Sequence, residues 1–248
     1  MTAPWFEADW PAPPGVRVLS TLRGDAASGI SQGPYAHFNL GDHVGDDSGK
    51  VAENRRRLRV GAKLPAEPAW LSQVHGTAVA DLDAPGLKGP ADAVIAREAG
   101  KVCAILTADC LPVVIAADTG QIVAAAHAGW RGLAAGVLEA AVRALGTPPG
   151  RLLAWLGPAI GPAHFEVGAE VRDAFLRSDP EASRAFRPNT NGRFMADLGV
   201  LARRRLERLG MTRIYGGDQC TYAEGERYFS YRRDGSTGRQ ATLIWREG

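Results

Sequence analysis

The chain has 248 residues, of which 29 are Lys or Arg and 27 are Asp or Glu, a net charge of +2, and 45% of its residues are hydrophobic. This length and composition suit one compact globular domain with a substantial core. The basic residues form no long block, which argues against a dedicated nucleic-acid binder. No apolar stretch approaches the roughly 20 residues that a membrane-spanning helix needs.

The chain begins with a segment rich in proline and acidic residues. Residues 1–15 are expected to form a loosely attached arm, and they lack the basic start and apolar run of a secretory signal. Three cysteines cannot all pair, and a reducing compartment would keep them as thiols. We therefore expect one cytoplasmic domain over residues 1–248, with at least one cysteine free to bind a metal or to react.

The first predicted helix begins after Asp47 and ends near Gly61. Asp47 or Ser48 can cap it, Val51 and Leu58 give it a narrow apolar stripe, and the glycine can end it.

Apolar runs in the middle of the chain predict buried strands on both sides of Cys110. These strands are expected at 102–106, 112–116 and 121–126. Gly129 and Gly132 then predict a turn, and the Ala- and Leu-rich residues 133–145 predict a helix.

The last third of the chain continues this mixture of strands and helices. A strand is expected around Trp155, a helix after Val167, and a second helix capped by Asp197 and stopped by Gly210. Residues 228–232 and 241–245 are predicted to form a terminal hairpin. The fold class is therefore α/β or α+β with mixed sheets.

Three residues at the edges of these strands have side chains that favour zinc. His75 and His127 are each expected at the end of a strand, and Cys110 follows a strand directly. Two imidazoles and a thiolate would leave the fourth tetrahedral position open, as in catalytic zinc sites. The spacing is too wide for a local metal motif, and for any one of the three taken alone a packed core role is the better interpretation.

The other cysteines are interpreted differently. Cys103 lies seven residues before Cys110, so a regular strand would place the two on opposite faces, and Cys103 is expected to be core packing. Cys220, after two glycines, is left as a further candidate for the site.

Several strings resemble the signatures of one bacterial family. They are WLSQVHG at 70–76, TADCLP at 107–112, AHAGWRG at 126–132, NLGDHVGDD at 39–47, GPAIG at 157–161 and FSYRR at 229–233. The family has been described as polyphenol oxidase or laccase-domain proteins, as purine nucleoside phosphorylases, and as peptidoglycan editing factors. The resemblance covers nearly the whole chain, and it implies a central β core with helices packed outside in three or four layers.

The resemblance also implies an activity and a metal site. His75, Cys110 and His127 match the family's zinc ligands, and the implied reaction is phosphorolysis of adenosine, inosine or methylthioadenosine to base and ribose 1-phosphate. Adenosine deamination is a second implied activity, in which the metal would activate water. The expected partners are a small nucleoside and phosphate, with no nucleic acid and no membrane.

Five further residues complete the candidate site. Asp109 could orient a ligand or move a proton, and Gln73 and Asn39 could contact substrate. Arg131, beside glycines at the start of a predicted helix, could hold phosphate, although a tight turn with a surface arginine is the alternative. Arg23 is a further candidate for substrate contact, which is put in doubt because the segment after it departs from the family's shorter glycine-rich pattern.

Three other functions stay open. A single copper could occupy the same ligands and oxidise phenols, whereas five histidines are too few for a multicopper centre. Cys110 could instead be the nucleophile of an amide hydrolase that edits peptidoglycan precursors, with His75 or His127 as base. A structural zinc module would need a fourth ligand such as His43, His164 or Cys220.

Overall fold

The computed structural model describes residues 3–85 and 89–248. The helices are α1 Ser48–Gly61, α2 Trp130–Ala135, α3 Val137–Leu145, α4 Ala169–Leu176, α5 Leu198–Arg208 and α6 Tyr231–Asp234. The strands are β1 Trp5–Glu7, β2 Val16–Thr21, β3 Val79–Asp81, β4 Ala93–Ala96, β5 Val102–Thr107, β6 Leu111–Ala117, β7 Val123–Ala128, β8 Leu152–Leu156, β9 Glu166–Val167, β10 Phe186–Pro188, β11 Phe194–Ala196, β12 Arg213–Gly216 and β13 Gln240–Arg246. Within the described residues, none of the helices has the length and hydropathy needed to span a bilayer.

The strands form three sheets. The first sheet has the order β1-β2-β13-β5 and is antiparallel throughout. The second sheet, β12-β8-β6-β7-β4-β3, is mixed, because its two outer pairs are parallel and the rest antiparallel. A small antiparallel sheet, β10-β11-β9, lies beside α4.

Alternating side chains on the strands build a layered core. On β6, Val113 and Ile115 face a cluster shared with helices α2 to α5, whereas Val114 and Ala116 face a cluster shared with the first sheet. The outer face of the first sheet packs against Leu58 of α1. The order of layers is therefore α1, first sheet, second sheet and helices α2 to α5, which confirms the predicted class of mixed sheets with helices outside.

Most predicted elements are confirmed, including two caps. The carboxylate of Asp47 accepts a hydrogen bond from the Lys50 amide at 2.9 Å, and that of Asp197 accepts one from the Val200 amide at 2.9 Å. Each begins a helix at the predicted residue, because a side-chain oxygen satisfies an amide that has no partner within the helix.

The predicted terminal hairpin is wrong. Ser230 caps the short helix α6, and β13 pairs with β2 on one side and β5 on the other. The alternating pattern of a strand is the same whether its partner is adjacent or distant in the chain.

Three smaller differences concern the ends of elements. The helix predicted at 133–145 begins earlier, at Trp130, and is divided by Gly136, whose φ of +102° no helix continues through. Pro112 lies inside β6, as its second residue. Within the expected arm, Trp5–Glu7 pair with β2, which attaches this part of residues 1–15 to the first sheet.

Candidate metal centre and active site

Side chains from three separate segments converge at one edge of the two sheets. One ligand atom each from His75, Cys110 and His127 lies within 4.8 Å of the others, and Cys110 Sγ is 3.7 Å from His75 Nε2. The two imidazole rings meet edge to face, with centroids 4.6 Å apart.

The crossing between the sheets positions Cys110. It ends the three-residue turn that carries the chain from β5 in the first sheet to β6 in the second. His127 is the second-last residue of β7, and the pairing of Pro112 with His127 brings it beside that turn. The predicted position of His127 near a strand end is thus confirmed.

His75 does not lie at the end of a strand, contrary to prediction. It occupies an irregular segment between residues 70 and 78, with a φ of +60°. Few residues other than glycine adopt this conformation without compensating contacts.

Asp92 supplies those contacts. Its carboxylate, fully buried just before β4, accepts hydrogen bonds from the amides of Val74, His75 and Gly76 at 3.1, 2.9 and 2.7 Å. The same carboxylate lies 2.8 Å from His127 Nδ1. One side chain therefore fixes the backbone of one histidine and the ring of the other.

The ionisation of the cluster suits a metal ligand set. Burial raises the pKa of the Cys110 thiol, but the neighbouring His127 and His75 outweigh burial and lower that pKa below its ordinary value. Burial likewise raises the pKa of Asp92, and His127 with the amides of Gly76 and Val74 reverses this and holds that pKa below its ordinary value. A thiolate and a charged carboxylate are the forms that bind a metal and orient its ligand.

The donor set and the free space both fit zinc. Zinc bond lengths place nitrogen and sulfur ligands about 3.6 Å apart in a tetrahedron, close to the 3.7 Å between Cys110 and His75. His127 Nδ1 lies 2.8 Å from the Asp92 carboxylate, which can accept its hydrogen and so turn Nε2 towards a metal. Burial lowers the pKa of His127, but Cys110 and Asp92 outweigh burial and raise that pKa to about 9, so metal binding must release a proton from this ring. A Cβ at Gly129 would lie 2.9 Å from Cys110 Sγ and 2.8 Å from His75 Cδ2, so the cluster needs glycine there.

The cluster opens into a cavity of about 470 Å³. Its wall combines apolar and aromatic side chains with three arginines, and the wall residues besides the cluster are His43, Gln73, Leu106, Thr107, Ala108, Asp109, Trp130, Arg131, Ile160, Phe165, Tyr231, Arg232 and Arg239. Such a wall suits a ligand with a flat ring and an anionic group.

Two candidate residues in this wall, Gln73 for substrate contact and Asp109 for orienting a ligand or moving a proton, already have partners. The amide of Gln73 bonds to both the N–H and the carbonyl of Leu106, each at 2.8 Å, and so extends the edge of β5. The Asp109 carboxylate accepts from the Thr221 hydroxyl at 2.7 Å and from the Arg232 amide at 2.6 Å. These hydrogen bonds hold Gln73 and Asp109 against neighbouring segments of the cavity wall.

The remaining candidates differ in their access to the cavity. Arg131 lines it, with its guanidinium over the Trp130 ring. Asn39 lies outside the wall and is fully buried, and it bonds to Gly41, Asp46 and the Arg239 amide. Arg23, also outside the wall, donates to the Ala36 carbonyl.

The other cysteines and histidines stand apart from the cluster in the described ranges. Cys103 is fully buried among apolar side chains, as predicted, and its burial raises the pKa of its thiol. Cys220 accepts hydrogen bonds from two backbone amides, and His164 stacks on Tyr222. Neither these two nor His43 joins the three clustered ligands in the part of the chain that the structure describes.

Sequence reasoning missed Asp92 and Arg239. The signal for Asp92 was an acidic residue directly before the apolar run of β4, and the signal for Arg239 was a lone cation at the start of the last apolar run.

Residues 19–247 match the family model described as multi-copper polyphenol oxidoreductase laccase. A curated relative, a purine nucleoside phosphorylase of Pseudomonas aeruginosa, is 53% identical over 242 residues, which cover 97% of this chain and 98% of that protein. The purine nucleoside phosphorylase YfiH of Escherichia coli K12 is 51% identical over 237 residues, covering 95% and 96% of the two chains.

Solved structures share the whole fold. A crystal structure of a Neisseria meningitidis protein superposes with a TM-score of 0.93 at 48% identity, covering 99% of this chain and 100% of that one. YlmD from Geobacillus stearothermophilus superposes with a TM-score of 0.92 at 32% identity, covering 100% and 98%.

Proposed function

The chain belongs to the multi-copper polyphenol oxidoreductase laccase family, and from that premise we propose that it is a zinc-dependent purine nucleoside phosphorylase. The proposal rests on one observation: an open His75, Cys110 and His127 cluster lies in the wall of a cavity that also carries three arginines. The names of relatives 45 to 53% identical to the chain support this activity.

The reaction joins phosphate to the ribose of adenosine, inosine or methylthioadenosine. A phosphate oxygen forms a bond to ribose C1′ while the bond from C1′ to the base breaks. The electron pair leaves with the base, which gains the proton that phosphate loses. The chain must therefore hold an anion, a ribose and a purine ring together and exclude water that would hydrolyse the nucleoside.

The wall residues divide these tasks. Arg131, Arg232 and Arg239 bring positive charge to the cavity, and Trp130 and Phe165 offer apolar surface for a flat base. His75, Cys110 and His127 would hold the zinc ion, which supplies a Lewis acid when bound. Asp92 keeps the two histidines in place.

A multicopper centre does not fit this arrangement. Of the five histidines, two are in the cluster and one more, His43, lines the cavity. A separate copper cluster would need further histidines nearby, and His164 stacks on Tyr222 instead.

A second candidate is a cysteine hydrolase that edits peptidoglycan precursors. The thiol of Cys110 lies near the His127 imidazole, and His127 Nδ1 lies 2.8 Å from the Asp92 carboxylate. This order is that of a nucleophile, a base and an orienting acid. The two functions predict opposite effects of metal removal, because a bound metal blocks the thiolate.

The deciding experiment measures metal content and adenosine turnover in one preparation, with and without phosphate, before and after chelation. We expect about one zinc per chain and adenine release that needs both zinc and phosphate. Cys110→Ala should lose both the zinc and the activity. Inosine and ammonia in the same assay would report deamination.

Two results would contradict the phosphorylase proposal. Zinc-loaded protein without nucleoside turnover is one, and amide hydrolysis that chelation spares or increases is the other. Copper in place of zinc, with phenol oxidation, would replace the zinc assignment.

A further inference from the structure

The three arginines in the cavity wall have different surroundings. Arg131 is exposed and lies over Trp130. Arg232 is exposed, and its Nη1 donates to the Glu166 carbonyl at 2.9 Å. Arg239, the residue before β13, is partly buried.

The side chain of Arg239 is held in one place. Its backbone amide donates to Asn39 Oδ1 at 2.8 Å, and the same oxygen accepts from the Gly41 amide at 2.9 Å. A Cβ at Gly41 would lie 2.7 Å from Arg239 Cγ. The Arg239 side chain therefore packs against the backbone of Gly41, where any larger residue would clash with it. Asn39, expected from the sequence to contact substrate, thus contacts the backbone of Arg239, a residue of the cavity wall.

The charge of Arg239 has no carboxylate partner. Its Nη1 donates to the carbonyls of Thr237 and Gly238 at 3.0 and 2.9 Å. Across residues 3–85 and 89–248, no carboxylate lies within ion-pair distance of its guanidinium, and no side-chain hydrogen bond involves its Nε or Nη2. Burial lowers the pKa of Arg239, which marks a cation partly withdrawn from water.

Thr107 is a residue of the same wall, and its hydroxyl is unused. Its hydroxyl is buried and has no hydrogen-bond partner among the described residues. The pairing of Gln240 with Thr107 brings Arg239, the preceding residue, to the end of β5 where the turn to Cys110 begins. A buried hydroxyl without a partner costs about 1–3 kcal/mol, which a ligand can remove.

We propose that Arg239, assisted by the Thr107 hydroxyl, is the anchor of an oxyanion subsite that holds the phosphate co-substrate. This inference rests on the proposed phosphorylase function. A guanidinium with free donors matches the oxygens of phosphate and can bind two of them at once. Arg131, the anion contact expected from the sequence, is then secondary.

The test compares Arg239→Gln with Arg246→Gln, which removes a part-buried arginine from the opposite end of β13. For Arg239→Gln, the KM for phosphate should rise about 10-fold or more, while the KM for adenosine and the zinc content stay near those of the unchanged protein. Arg246→Gln should leave the KM for phosphate unchanged. Thr107→Val should raise it by a smaller factor.

A binding measurement separates this inference from the phosphorylase proposal. Calorimetric titration of the zinc-loaded protein with inorganic phosphate alone should show binding that Arg239→Gln removes. Phosphate binding that depends on Arg239, in protein that turns over no nucleoside, would contradict the phosphorylase proposal and support the phosphate subsite. Phosphorolysis with an unchanged phosphate KM in Arg239→Gln, or a rise only in Arg131→Gln, would overturn the subsite and keep the phosphorylase.

Discussion

At the scale of single residues, Asp92 has a central place in the candidate site, because its carboxylate contacts two of the three clustered side chains or their backbone. It accepts three consecutive amides around His75 and orients the His127 ring, so two of the three ligands depend on one buried carboxylate. Such orienting partners set the affinity of a metal site.

Asp92→Asn should weaken zinc binding by about 10- to 100-fold. The asparagine keeps an oxygen for the amides of Val74 and Gly76, but an NH₂ group in place of Oδ1 cannot accept the hydrogen of His127 Nδ1 or that of the His75 amide. Competition with a chromogenic chelator measures the affinity, and circular dichroism checks that the variant is folded. Asp118→Asn is the control, because Asp118 pairs with Arg151 and Arg213 past the far end of β6. Equal zinc affinity in both variants would refute the role of Asp92.

The sequence was sufficient to predict that His75, Cys110 and His127 lie together, and insufficient to find Asp92, which holds two of them. His75, Cys110 and His127 stand in strings specific enough to predict a shared site. Asp92 lies 17 residues from His75 and 35 from His127, and only the folded sheet brings it to both. Its burial and its four partners are properties of the tertiary structure.

At the scale of elements, helix caps were the most predictable features because their cause is local. Asp197 marks the start of α5 because its own carboxylate binds an amide three residues ahead. The break at Gly136 also has a local cause, its positive φ, but an isolated glycine in a helical pattern does not by itself reveal that conformation.

Asp197→Ala should lower the free energy of unfolding by about 1 kcal/mol. The change leaves the Val200 amide without its partner at the start of a helix that buries Leu198, Leu201 and Leu206. Urea denaturation measures the loss. Asp197→Asn, which keeps a capping oxygen, should stay close to the unchanged protein, and a loss as large as that of alanine would speak against capping.

β13 shows why the predicted hairpin failed. Its alternation identified a strand at 241–245 correctly, but pairing depends on where other strands lie. Thr242 pairs with Ser20 and with Ile105, and neither partner is near it in the chain. Local sequence is enough to predict that a segment forms a strand, but the choice of partner strand depends on segments far away in the chain.

At the scale of the whole molecule, the two large sheets share one apolar cluster between them. Ile244 of the first sheet and Val114 of the second both belong to it, and both are fully buried. Neither sheet can lose this contact alone, so we expect the layers to unfold together.

Ile244→Ala should lower the free energy of unfolding by about 2–5 kcal/mol and keep a single transition. Far-ultraviolet circular dichroism and tryptophan fluorescence, followed through the same denaturant series, should give coincident curves. Val60→Ala, at a side chain that is 60% exposed, should change stability little. Two separate transitions would mean that the sheets are independent units.

The position of β13 also has a consequence for biosynthesis. A ribosome makes β2 and β5 early, yet the strand that joins them emerges only with residues 240–246. Between the synthesis of β5 and that of β13 the nascent chain therefore carries two open, apolar strand edges, the kind of surface that pairs with other chains. We therefore expect holding chaperones to bind the nascent chain until β13 has been made.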